Sequence, residues 1–478
     1  MDPAVDMKGI TMRFGKVVAN DKVNFSVEKG EILALVGENG AGKSTLMNIL
    51  YGLYIPTDGT IHINGEKKIF HSAIDAMAAG VGMVHQHFML IPRLTVTDNI
   101  VLGQEPHKGI RYNHGKAREE VLELCRQYDM KLDVDSRVAD ISLGMQQRVE
   151  IIKALYRRAD ILILDEPTAV LTPQEIDELG RMLQKLKAMG KTIIIITHKL
   201  QEVIDFSDRV TVLRQGKWIG TVKTQETTAE EITEMMVGRS VSLGGGRKEV
   251  MSREDILELR GVSYHNGQKE KLKNINLNVC KGEILGIAGI DNSGQKELTE
   301  VITGVLKPSV GQVLLKGQEI TGHAVSDIRK QGVGFIPQDR HRHGLALSQN
   351  IRDNLILGYQ REKEYNQKGC FFNEKMVSRD VEEKIKEFDI RPADMQLLAQ
   401  RLSGGNQQKI IVAREVSHAG SLIIADQPTR GVDIGAIELI HKTLVDARNA
   451  GKAVLLVSLE LDEVMMLSDR IAVMHDGE

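Results

Sequence analysis

Cysteine is scarce in this chain: three residues in 478, Cys125, Cys280 and Cys370, far apart and without CxxC spacing. Such a set neither staples a small secreted fold nor cages a metal, so the three read as free thiols of a reducing compartment. Long hydrophobic runs are missing too. No apolar stretch approaches the ~20 residues that span a bilayer, and the opening MDPAVDMKGI has no hydrophobic segment of signal-peptide kind. Work at a membrane must then go through a partner. Nor is there an excess of positive charge: 62 Lys and Arg face 65 Asp and Glu, and a net charge of −3 offers no general hold on a nucleic-acid backbone. What remains, 42% hydrophobic and 27% charged, reads as soluble and globular, in a chain too long for one ordinary core.

What is present is written twice. KGEILALVGENGAGKS (residues 29–44) recurs as KGEILGIAGIDNSGQK (residues 281–296), an offset of 252, and GVGMVHQ, ending at Gln86, recurs at the same offset as GVGFIPQ, ending at Gln338. ADILILDEPT recurs as GSLIIADQPT, with Asp165 and Asp426 261 apart. The nine-residue growth in offset places an insertion in the second copy between Gln338 and Ser403, expected around NQKGCFFNEK. The Gly-rich, charged stretch SVSLGGGRKEVMSRE marks a linker, residues 240–255, between domains 1–239 and 256–478. The second copy stops at MHDGE where the first continues, so its C-terminal end is expected to be incomplete.

Short apolar runs such as ILALVG, ILILD and TIIIIT have the length and β-branching of buried parallel strands. PQEIDELGRMLQKLKAMG, opened by Pro173 and closed by Gly190, is a helix between two of them. This order predicts α/β: two tandem phosphate-loop domains, each a mostly parallel sheet with an inserted helical subdomain, in the first copy a strand-free segment over residues 91–142.

Gly37, Glu38, Asn39, Gly40, Ala41, Gly42, Lys43, Ser44 and Thr45 spell GxxxxGK[ST] between a strand and a helix. Glycines let amide groups face phosphates, Lys43 supplies a cation, and Ser44 can hold magnesium. Asp165 ends an apolar strand and suits the same metal shell, while Glu166 beside it can polarise a water. His198 ends another strand, where it could contact a γ-phosphate. Gln86 is placed to sense the metal and the attacking water, and Phe14 to stack on adenine. The loop, the acidic pair, His198 and Phe14 each have an ordinary alternative: a glycine-rich turn, a structural acidic pair, a structural histidine, a core or surface phenylalanine.

ISLGMQQR at Ile141 and LSGGNQQK at Leu402 precede the two Asp-bearing strands and look like the signature LSGGQ. With them, almost the whole chain resembles, twice over, the ATP-binding subunits of ABC transporters. The resemblance implies ATP and Mg2+ as cofactors and two domains pairing head to tail, each ATP lying between one copy's phosphate loop and the other copy's signature.

Aligned by these offsets, the copies differ in a pattern. Gln295 faces Lys43, Lys296 faces Ser44, Gln427 faces Glu166 and Leu459 faces His198, so the loop with Gly289, Asn292 and Gly294 keeps its shape and loses its chemistry. In the signatures the bias reverses: Leu143 and Met145 replace Gly404 and Asn406, and Thr172 replaces Asp433, which in this family reaches across to the other phosphate loop. The resemblance then implies one complete site, the first loop with Ser403, Gly404, Gly405, Asn406 and Asp433. The other is degenerate: Gln295, Lys296, Gln338, Asp426 and Gln427 with Ser142 and Gly144. Random decay of a duplicate would scatter the losses over both sites.

The family reading makes the chain an ATP-hydrolysing subunit, peripheral at the cytoplasmic face of a prokaryotic membrane. It would drive separate permease subunits and, through them, serve an extracytoplasmic substrate-binding protein. Residues 89–103 and 340–358 are expected to touch the permease. ADQPTRGVDIGA looks like the simple-sugar importer branch, and VHQHFMLIPRLTVTDNIVLG with SLGMQQRVEI is closer to its nucleoside-importing relatives. The alternatives are a soluble tandem ATPase acting on ribosomes or nucleic acid, and an ATP sensor whose second half is a permanent clamp.

Overall fold

The computed structural model describes every residue except 1, 16, 87, 169–170, 198, 240–253, 268, 291 and 368–370. The chain divides into two compact units, Met1–Val241 and Ser242–Glu478. Most of the expected linker, residues 240–253, lies outside the described residues.

In the first unit, the strands Val81–Val84, Ile161–Asp165, Thr192–Ile196, Ile32–Val36 and Arg209–Arg214 pair in parallel in that order, and Lys217–Lys223 closes the edge antiparallel. These strands are apolar on both faces because both faces are covered. Leu33, Leu35, Ile194 and Ile196 pack with Leu46, Met47, Ile49 and Leu50 of the helix Lys43–Leu50 and with a four-stranded antiparallel sheet containing Val5–Phe14 and Val17–Val27. Ile32, Leu162, Leu164, Ile193 and Ile195 face the other way, onto the helices Leu143–Tyr156 and Pro173–Ala188. Period-two alternation in otherwise continuous runs of Ile and Leu thus feeds two cores from one sheet.

The second unit repeats the plan. Val333–Ile336, Leu422–Asp426, Ala453–Val457, Ile284–Ala288 and Arg470–Val473 form a five-stranded parallel sheet, and Asp255–Asn266 and Lys269–Cys280 lie in its antiparallel partner.

Two expectations need correction. The segment over residues 91–142 is not free of strands: His107–Lys108 pairs with Arg111–Tyr112 ahead of the helix His114–Gln127. A two-residue hairpin carries no alternation to read. The insertion in the second unit is also divided. Asn99 and Asn354, whose Oδ1 atoms accept from the N–H of Ile91 and Ala346, are 255 apart, so three residues enter just after Gln338, where residues Arg340–Gly344 form a π-helical turn. Asn113 and Asn373, which cap matching helices, are 260 apart, so five more enter near the expected stretch, around the pair Asn366–Gln367 and Phe371–Phe372, and the ninth enters between Asn373 and Ser403.

Cys125 and Cys280 are free, and burial pushes the Cys125 thiol up to about 11, far from the reactive thiolate. Cys370 lies outside the described residues. No described helix is long and apolar enough to cross a membrane.

Candidate nucleotide sites

The first phosphate loop joins the strand Ile32–Val36 to the helix Lys43–Leu50, and its shape depends on closeness that only glycine permits. A Cβ on Gly37 would lie 2.2 Å from the Leu213 carbonyl oxygen; at Gly42, φ is 97° and a Cβ would lie 2.4 Å from that of Ala19. Asn20, fully buried, donates from Nδ2 to the Gly42 carbonyl at 3.1 Å and ties the loop to the neighbouring sheet. Lys43 is buried, and its Nζ donates to the carbonyl oxygens of Gly37 at 2.6 Å and Glu38 at 3.0 Å. The ammonium therefore lies folded over the loop it belongs to. Ser44, Asn39 and Gly40 are exposed at the mouth, with Glu38 and Thr45 half-buried and Ala41 inside.

Parallel pairing of Ile161–Asp165 with Thr192–Ile196 brings Asp165 to the carboxyl end of the sheet. Burial pushes its carboxyl up to about 6, the adjacent Glu166 adds to the rise, and Lys43 opposes it. A half-buried carboxyl held reluctant to ionise, next to a second one and a lysine, is a site short of positive charge. This is the observation that fits a magnesium ion with phosphates. Glu166 has φ 46°, and its N–H donates to the Ile196 carbonyl at 2.9 Å, which locks the strained turn. Gln86, just past the strand Val81–Val84, donates from Nε2 to Glu166 Oε2 at 2.7 Å. The fold thus brings Lys43, Asp165, Glu166 and Gln86 together from three segments. His198 lies outside the described residues. Phe14 is 46% exposed, its ring edge-on to Tyr54 with centroids 5.5 Å apart, so a flat apolar surface stands at the end of its strand.

The second loop copies the close glycine contacts of this frame, with Leu272 in the place of Asn20 and its tie to the loop. A Cβ on Gly289 would lie 2.4 Å from the Met474 carbonyl and one on Gly294 2.7 Å from that of Lys271, residues that align with Leu213 and Ala19. Asn292 holds φ 67°. Gln295 is buried and donates from Nε2 to the Ile290 carbonyl at 3.0 Å, so it braces the loop as Lys43 does while carrying no charge. Lys296 is exposed, 3.8 Å from Glu300 one turn on. Asp426 is only 4% exposed and accepts from Thr299 Oγ1 at 3.1 Å; burial pushes its carboxyl up to about 7, against that hydrogen bond. Gln427 repeats the strained turn at φ 50°, and its Oε1 accepts from the N–H of Leu459 at 3.3 Å. Gln338 is half-buried beyond the strand Val333–Ile336.

Both signatures are helix starts. Ser142 Oγ accepts from the Met145 N–H at 3.3 Å, and Ser403 Oγ from the Asn406 N–H at 3.4 Å and its Nδ2 at 2.9 Å. Leu143 and Met145 are exposed beside the buried Gly144, whose absent Cβ leaves room for the Glu175 carboxylate. In the second unit a Cβ on Gly404 would meet Arg340 Nη2 at 2.8 Å, and one on Gly405 would meet Asp433 Oδ2 at 2.5 Å. Asp433 itself caps the helix Ile434–Asn449 through the Ala436 N–H at 2.9 Å; Thr172 caps its counterpart Pro173–Ala188.

Sequence reasoning passed over a further pair. Glu202, buried, accepts from the hydroxyls of Thr168, in a short hydrogen bond, and Thr197, at 2.9 Å. Its counterpart Glu463 accepts from Thr429 at 2.8 Å and from His441 at 2.9 Å. These bonds fasten the turn after each Asp strand to the helix after the next strand. The signal was available: the threonine of EPT and QPT stands 34 residues before a glutamate in both copies.

Two parallel-sheet units, each with a glycine-framed loop opening a helix beside an Asp-bearing strand end, define a tandem phosphate-loop nucleotide-binding protein. The family model for ABC transporters matches residues 20–169 and 272–430. The chain is 48% identical, over its full length and 94% of the relative's, to the nucleoside import ATP-binding protein NupA of Lactococcus lactis subsp. cremoris (strain MG1363). It is 47% identical, with the same coverage, to the guanosine import ATP-binding protein NupO of Bacillus subtilis (strain 168). Among solved structures, the archaeal ribosome recycling factor aABCE1, in complex with ribosomal stalk protein aP1, shares the fold across 98% of this chain and 88% of that one, with a TM-score of 0.63 at 19% identity. The chain belongs to the ABC transporter family, and it is an ATP-binding ATPase.

Proposed function

We propose that this chain is the ATP-hydrolysing, energy-coupling subunit of a membrane importer for nucleosides, with one competent and one degenerate ATP site. The observation that carries the reading is near-half identity, end to end, with two nucleoside import ATP-binding proteins, against a ribosome-associated likeness that extends to the fold alone. Simple-sugar import, the broader branch, is second to it on the same ground.

In this reading Lys43 and the amides of residues 37–45 hold the phosphates, and Phe14 stacks on adenine. Ser44, Gln86 and Asp165 hold Mg2+, which supplies charge neutralisation at the phosphates when bound. Glu166 orients the attacking water and accepts its proton, with Gln86 at 2.7 Å holding the carboxylate in place. His198 supports the γ-phosphate. Ser403, Gly404, Gly405, Asn406 and Asp433 complete the pocket from the second unit, whose own loop pairs with Ser142 and Gly144. Opening and closing of the two halves with ATP does work on permease subunits through residues 89–103 and 340–358. The chain sits at the cytoplasmic face of the membrane and serves an extracytoplasmic substrate-binding protein through the permease.

The test is uptake of labelled nucleoside by cells carrying only the Glu166→Gln form. Uptake is expected to fall to background, with the chain still recovered in the membrane fraction. Undiminished uptake, or recovery with ribosomes, overturns the proposal.

A further inference from the structure

The exchange of Lys-Ser for Gln-Lys in the second loop moves a positive charge by one residue, from inside the loop to the place where the first loop has its serine hydroxyl. Gln295 preserves the internal brace to the Ile290 carbonyl without charge. Of the counterparts of the first site's three metal-side groups, Gln338 is kept and the other two are gone or engaged. Ser44 has become Lys296, and the carboxylate of Asp426 is buried and accepts from Thr299 Oγ1, where the first unit has Met47, which offers no hydroxyl. Other cations share the surroundings of Lys296. Lys296 lines a cavity of about 810 Å³ together with Arg340, Arg342 and Arg430. Of the three carboxylates on that wall, Asp339 is already satisfied by the N–H groups of His341 at 3.1 Å and Arg342 at 3.0 Å, and Asp426 by Thr299. Glu300, itself half-buried, lies 3.8 Å from the exposed ammonium of Lys296 one turn before it, a separation longer than a direct hydrogen bond, so Lys296 is free to turn toward another anion. Arg340, inserted with the π-helical turn, is held by the carbonyls of Arg430 at 2.9 Å and Gly431 at 3.4 Å, and its Nε is buried without a hydrogen-bond partner.

We propose that the second loop binds the polyphosphate of ATP without a divalent cation, the ammonium of Lys296 taking the place of the metal and Arg340 supporting it from the cavity wall. A compact ammonium on a flexible stem can follow a phosphate as a point charge, as the first loop's lysine does. Nucleotide held in this way stays intact, since Gln427 accepts no proton and is itself engaged by Leu459. The inference rests on the ABC-ATPase reading of the two loops and not on the cargo.

Equilibrium dialysis of labelled ATP against the full-length Glu166→Gln chain tests it, in Mg2+ and in excess EDTA. One ATP per chain is expected to survive EDTA. Its affinity should drop about ten-fold or more in Lys296→Ala and recover in Lys296→Arg, while Lys43→Ala leaves it in place. Loss of all bound ATP in EDTA overturns the proposal. So does EDTA-resistant ATP that disappears with Lys43→Ala and persists with Lys296→Ala, because the first loop is then its seat. Tripolyphosphate binding as tightly as ATP would assign the site to bare polyphosphate and overturn the nucleotide. None of these failures bears on nucleoside uptake, which is measured separately.

Discussion

Lys43 and Gln295 occupy the same place in two copies of one loop, make the same bond to the residue-38 or residue-290 carbonyl, and differ by one charge. Around them the frame is shared: the glycines at 37 and 289 press against the carbonyls of Leu213 and Met474, and those at 42 and 294 against Ala19 and Lys271. The comparison teaches that the shape of a phosphate loop and its chemistry are separable. Shape comes from steric closeness and one internal hydrogen bond, which an amide supplies as well as an ammonium. Chemistry comes from charge, and charge is what the second copy has redistributed.

The sharpest way to break the comparison is at the acidic turn. Glu166→Gln, which makes the first turn read like the second, is expected to lower steady-state ATP turnover about 100-fold or more, since general-base removal costs that order. Comparable turnover in the variant would mean the two copies do not differ in the way proposed. Next in size, Lys43→Ala should weaken MgATP binding about ten-fold or more, the worth of a charge-assisted phosphate contact, whereas Gln295→Ala should weaken it less than three-fold. Equal losses from the pair, measured by titration, would erase the asymmetry.

At the signatures the expected effects are smaller. Gly404→Leu, copying Leu143, sets a side chain against Arg340 and the Gly431 carbonyl and should reduce turnover several-fold, while Leu143→Gly should change it less than two-fold. The smallest effect concerns pH. Asp165 is pushed from an ordinary 3.8 to about 6 in the folded chain, so the native state holds on to a proton that the unfolded chain releases. Its contribution to stability therefore falls as pH rises from about 4 to about 6 and stays low above. Asp165→Asn removes that cost and should raise the melting temperature of the nucleotide-free chain above pH 6, the gain closing as pH approaches 4. For Asp426→Asn the corresponding window runs up to about pH 7. A gain that does not vary with pH in differential scanning calorimetry would show that the ionisation is not its source.

The repeat, the parallel strands and the two loops were legible because each is carried by neighbours in the chain: a run of Ile and Leu, a glycine at a fixed step, an Asp at a strand end. Other features were not. The bond from Asn20 to the Gly42 carbonyl, that from Thr299 to Asp426, and the seat of Arg340 over Gly404 join residues 22, 127 and 64 apart, and nothing local marks them. The π-helical turn after Gln338 escaped because an alignment by motifs registers only the total length gained between two anchors. Glu202 and Glu463 escaped although their spacing from threonine repeats, because a glutamate at the start of a helix reads as an ordinary surface charge.

The sequence by itself determined the class of fold, the duplication and which copy kept Lys, Ser and Glu, because hydrophobic period and motif spacing are properties of adjacent residues. Only the tertiary structure decided what the losses mean. It turned Gln295 from a missing charge into a brace, took Asp426 out of use through Thr299, and set Lys296 beside a wall of arginines. Burial and hydrogen bonding act between segments that meet only when the chain has folded.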